Sequence, residues 1–161
     1  MYKKILLTLI FLVLLIIQPP ITMNAVCEFS KKVQIIEKYC NIYDVDTELV
    51  IAIVMTESSF RHKIVKWEKV VKENAYGMGQ VLLSTAKIYD KKITSKQLLI
   101  PEKNIDIMAQ HIAMLNKKHN GNIEKITREY NGGTRKKNNR GYYLRVKHYY
   151  DTLNNTCGGI K

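Results

Sequence analysis

The stretch "ELVIAIVMTESSF", Glu48 to Phe60, decides how the rest of the chain is read. From Leu49 to Met55 it is apolar almost all the way round a helix, the pattern of an element buried on every side. Asp46 or Thr47 stands where an N-cap belongs. Leu49, Ile53, Glu57 and Phe60 recur at spacings of four, four and three, so they share one face. Burial on such a stripe disfavours a carboxylate's charged form, which is what a general acid needs near neutral pH. A glutamate at a helix end also commonly rotates into water. The spacing alone leaves both readings open.

Helical patterns continue on either side. Upstream, Ser30 is placed to cap a helix through "KKVQIIEKYC", with Val33, Ile36 and Cys40 on one face, and "NIYDVD" then breaks it. Downstream, "RHKIVKWEKVVKEN" is basic and irregular, compatible with a loop, a short helix or a strand pair. "AYGMGQVLLSTAKIY" reads as a glycine-rich turn followed by helix, and "TSKQLLIP" as a short helix ended by Pro101. In "EKNIDIMAQHIAMLNKKHNGN" the residues Ile105, Met108, Ala109, Ile112 and Leu115 recur at helical spacing, with Gly121 past the end. "IEKITREYNGG" is a short helix closed by glycines, "TRKKNNRG" a charged loop, and "YYLRVKHYYDTL" a last helix with a tyrosine-rich face. Strand signals are weak throughout. The expectation is a mainly α, single-domain fold.

The N-terminus stands apart. "MYKK" precedes a 13-residue run, Ile5 to Ile17, that is apolar except for Thr8, and "QPPITMNA" follows. That is the order of a secretory signal peptide, too short for the ~20 residues of a spanning helix. The expected boundaries are a signal peptide at 1–25 and a domain at 26–161, with a retained anchor as the alternative. The chain is therefore expected to be exported, to the periplasm or cell envelope, or secreted. In an oxidising compartment Cys27, Cys40 and Cys157 offer one disulfide and one spare thiol, with the pairing open. A formal charge of +12 attracts polyanions. For an exported chain, anionic wall polymer or a membrane surface fits better than nucleic acid.

Three motifs in order, "ESSF", "AYGMGQVLLSTA" and "REYNGG" with "YYLRV", carry a family resemblance. From roughly Asp46 to Leu153 the chain resembles the lytic transglycosylases of the goose-type-lysozyme-like superfamily. It is most similar to small exported members found beside secretion, pilus and conjugation machines. The resemblance implies a lysozyme-like helical domain with a substrate groove and no metal or cofactor. It gives Glu57 the role of catalytic acid, with Ser58 beside it. Gly77, Met78, Gly79 and Gln80 match a Gly-Leu-Met-Gln motif, Tyr130 and Asn131 an Ala-Tyr-Asn motif, and Tyr143, Leu144 and Val146 a later aromatic-aliphatic one. Ser58, these four turn residues, Tyr130, Asn131 and Tyr143 are the implied substrate-binding set.

The implied partner is a peptidoglycan strand. The implied reaction cleaves the bond between N-acetylmuramic acid and N-acetylglucosamine, closing a 1,6-anhydro ring without water. Hydrolysis on the same scaffold stays open, as does a non-catalytic wall-binding role. The chain departs from the pattern twice. Gly79 replaces a methionine expected to line the groove, and "VVKEN" lacks a serine that Glu73 or Asn74 would have to replace. Asp90 and Glu73 are the candidates for a second carboxylate. The sequence contains no His-Glu-x-x-His motif, no cysteine pair at metal spacing and no phosphate-binding loop.

Overall fold

The structure, a computed structural model, describes residues 23–132 and 139–157. The signal segment up to residue 22 and most of the "TRKKNNRG" loop lie outside these residues. The chain divides into two compact units, Met1–Ser30 and Lys31–Lys161. The described part of the first is the opening of helix α1 (Met23–Tyr43), which starts well ahead of the expected cap at Ser30.

The second unit holds the rest of α1, then α2 (Thr47–Ser58), β1 (Val65–Glu68), β2 (Glu73–Tyr76), β3 (Val81–Leu82) and α3 (Leu83–Tyr89). A 3-10 turn (Gln97–Leu99), α4 (Pro101–His119), α5 (Ile123–Tyr130) and α6 (Arg140–Cys157) complete it. The fold is mainly helical, as the periodicity predicts.

The central helix is α2. Asp46 is its N-cap, accepting from the Leu49 amide at 2.9 Å. Leu49, Val50, Ala52, Ile53 and Val54 are buried. Each large aliphatic side chain removed from water contributes roughly 1.5–3 kcal/mol. Around them close Ile36 and Cys40 of α1, Ile105, Met108, Ile112 and Leu115 of α4, Ile126 of α5 and Val146 of α6. Helix α6 packs along α2, and its Tyr150 hydroxyl donates to Asp46 at 2.7 Å.

Of the three conformations left open for the basic stretch after α2, the strand pair is realised. Strand β1 pairs antiparallel with β2 from Val65↔Tyr76 to Glu68↔Glu73, and β2 pairs with β3. Lys72 turns the hairpin at φ 55. Strands of four, four and two residues are too short to establish a period of two, which is why the sequence showed so little of them. Pro101 does not end a helix. It opens α4 at a first-turn position, where its missing N–H costs nothing.

Cys27 is exposed and Cys40 buried, and both are free thiols. The side chain of Cys157 lies outside the described residues. Burial pushes the Cys40 thiol up to about 11. No helix among the described residues is long and apolar enough to cross a membrane.

Candidate active site

Glu57 occupies the last turn of α2, above the buried Leu49 and Ile53. Its polar neighbours are tied back into the helix. Thr56 donates to the Ala52 carbonyl at 2.8 Å, Ser58 to Val54 at 3.3 Å and Ser59 to Met55 at 3.4 Å. Such i−4 bonds satisfy the hydroxyls locally. The backbone then turns sharply, with Ser59 at φ 50 and Phe60 at φ 62, both left-handed. Phe60 is buried, so its packing holds a conformation that a bulky side chain disfavours. The Lys66 ammonium meets the Glu57 carbonyl at 2.6 Å, placing a cation at the helix C-terminus.

The segment from Gly77 to Gln80 links β2 to β3. Gly77 has φ 72, and a Cβ there would stand 2.4 Å from the Leu98 carbonyl and 2.5 Å from Asn104 Nδ2. Only glycine fits. Asn104, fully buried on α4, holds the turn. Its Oδ1 accepts from the Gly79 amide at 2.7 Å, and its Nδ2 donates to the Tyr76 and Leu98 carbonyls, both at 2.8 Å. A Cβ on Gly79 would meet Met108 Sδ at 2.6 Å and the Tyr130 hydroxyl at 3.0 Å. The position therefore faces packed atoms, and the expected gap in the groove wall is not there. Gln80 sits at φ 49. Its Nε2 donates to the Gly77 and Ile64 carbonyls at 2.8 and 3.3 Å. Those two acceptors fix which way the amide points. Its Oε1 is left buried without a partner among the described residues.

Two tyrosines meet this frame. Tyr142 donates to Glu57 Oε1 at 2.8 Å, and Tyr130 donates to the Gly79 carbonyl at 2.6 Å. Burial, followed by the nearby charge of Glu57, raises both phenols well above their ordinary range. Both hydroxyls therefore stay protonated as donors.

Glu57, Gln80, Tyr130 and Asn131 line one open cleft of about 450 Å³. Glu68, Val70, Val71 and Ala75 of the hairpin form a wall, with Leu82 and Gly132 completing it. A second hollow of about 300 Å³ shares Gln80, Leu82 and Tyr130 and extends to Thr85, Met108 and His111. The Tyr89 hydroxyl meets His111 Nδ1 at 2.9 Å, and burial holds that imidazole below its usual range. Among the described residues no three His, Cys, Asp or Glu side chains converge as a metal set would.

The predicted residues thus divide. Glu57, Gln80, Tyr130 and Asn131 converge on the cleft, and Gly77 and Gly79 shape the turn beneath it. Met78 is in the core. Ser58 is buried with its hydroxyl on Val54, so it brings no side chain to the cleft. Tyr143 is absent from the cleft wall, and the tyrosine at Glu57 is its neighbour Tyr142. Glu73 accepts from the Ser84 amide and hydroxyl at 2.7 and 2.6 Å, and Asp90 accepts from the Lys92 amide. Those two carboxylates are committed elsewhere, and the second acid lining the cleft is Glu68. Sequence reasoning missed Tyr142, Glu68 and Asn104. Tyr142 and Val146, four apart and both buried, were the available signal for the first.

A mainly helical domain with one glutamate at the end of its central helix, beside a glycine turn and an open cleft, is of the lysozyme-like class. Residues 34–151 match the family described as Transglycosylase SLT domain, and the chain belongs to that family. Among solved structures it is similar to an inactive mutant of lytic transglycosylase Slt from Pseudomonas aeruginosa, with a TM-score of 0.65 and 18% identity over 88% of this chain. It is also similar to the 70 kDa soluble lytic transglycosylase SLT70 from Escherichia coli, with a TM-score of 0.54 and 20% identity over 82% of this chain. The chain spans 25% and 19% of those two proteins. No curated protein matches it.

Proposed function

We propose that this protein is a peptidoglycan lytic transglycosylase. Glu57, protonated, gives its proton to the glycosidic oxygen between N-acetylmuramic acid and N-acetylglucosamine. The substrate's N-acetyl group stabilises the cationic sugar left behind. Glu57, now a carboxylate, takes the proton from that sugar's C6 hydroxyl, whose oxygen closes the 1,6-anhydro ring. No water is consumed and Glu57 ends as it began. Tyr142 orients the carboxylate, and Gln80 lines the cleft beside it.

One observation carries this reading. The Glu57 carboxylate lines an open cleft with a phenol donor on it and an unpartnered amide oxygen nearby. The resemblance to exported members beside secretion, pilus and conjugation machines supports local wall remodelling outside the cytoplasm. Glu57→Gln is expected to lower release of anhydromuropeptides from purified peptidoglycan by about a thousandfold. A Glu57→Gln protein that still cleaves at the original rate would overturn the assignment.

Glu68 favours a second reading. Two carboxylates on one cleft are the equipment of a hydrolase, in which one would activate water. Products with reducing ends, falling selectively in Glu68→Gln, would establish that route instead.

A further inference from the structure

The two faces of the β1–β2 hairpin differ in kind. Lys66, Glu68 and Ala75 lie on the face toward the end of α2 and the cleft. Strand alternation puts Val65 and Trp67 on the other face. There Val65 is 46% exposed and Trp67 57% exposed, opposite Tyr76 and Asn74 of β2. Val70, at the turn, belongs to the cleft wall and not to this face. Flanking Val65 and Trp67 are the exposed Lys63, Lys69 and Lys72, none of which forms an ion pair among the described residues. An aromatic and a valine flanked by unpaired lysines, on a chain of net charge +12, match a surface that is apolar just beneath an anionic layer. Indole sits at such an interface, and lysines meet the headgroups.

We propose that this outward face of the hairpin docks on an anionic phospholipid bilayer. The face is separate from the cleft, whose wall is the hairpin's other side. Docking therefore leaves the cleft open while holding the enzyme against the membrane.

Trp67 is the sole tryptophan, so its emission reports on this face alone. The full chain is titrated with phosphatidylglycerol vesicles and with phosphatidylcholine vesicles. A blue shift on the anionic vesicles only is expected. In Lys69→Glu/Lys72→Glu, which keeps both the N-terminal apolar segment and Trp67, the midpoint should move to at least about tenfold more lipid. Circular dichroism checks that the variant is folded. Unchanged emission on anionic vesicles, an equal shift on neutral ones, or the same shift with soluble polyphosphate or oligonucleotide would overturn the proposal.

Discussion

At position 77 the backbone enters the left-handed region in a space already filled by the Leu98 carbonyl and Asn104. Gly77→Ala must accept both a strained φ and a collision with atoms that are hydrogen-bonded in place. The combined cost is about 3 kcal/mol, read as a lower urea midpoint. Glu57 was legible because an apolar stripe and a motif agreed on it. Tyr142 was legible only through its spacing of four from Val146. In a "YY" pair on a helix the two side chains diverge by about 100°, and only packing against α2 selects the one that reaches Glu57. Gly79 was misjudged because the sequence shows an absent side chain without showing where its Cβ would point.

Among the elements, α4 does more than supply core. Asn104 precedes Met108 by four and shares its buried face, where every other fully buried residue of that helix is apolar. One of its hydrogen bonds holds the 3-10 turn at Leu98, and the other two tie α4 to the end of β2 and the glycine turn. Asn104→Ala strands the Gly79 amide and two carbonyls, and is expected to cost about 3 kcal/mol with an unchanged denaturant slope. Activity should fall as well, because Gln80 follows directly from that turn. The helices were readable from periodicity over many residues. The hairpin was not, since its strands are short and β1 sets Val65 and Trp67 outward with Lys66 and Glu68 inward, against the usual rule. Pro101 was read as a stop because proline ends and begins helices with equal force; the choice lay in the 3-10 turn before it.

For the whole molecule, buried phenols set the response to alkali. Tyr130 and Tyr142 hold their protons well above the ordinary range, mainly through burial, and Tyr43 is pushed up to about 12. In the unfolded chain these groups ionise near pH 10. Below that pH both states keep the protons and stability is flat with respect to them. Above it the unfolded state loses protons first, so stability falls, by up to about 1.4 kcal/mol per pH unit for each fully buried phenol. Thermal melts between pH 8 and pH 12, in steps of about one unit, should show a plateau and then a decline beginning near pH 10. Part of the phenolate absorbance should appear only on unfolding. A gradual loss starting below pH 9 would contradict the enclosure of these side chains.

The bond from Tyr130 to the Gly79 carbonyl joins α5 to the β2–β3 link across 51 residues of chain. It works as a cross-brace set before any guest arrives. Spreading the two banks means breaking a sheltered rung worth about 1 kcal/mol, so the bond biases the slot toward its closed width. A guest therefore meets one corner of the slot already fastened and does not have to assemble it.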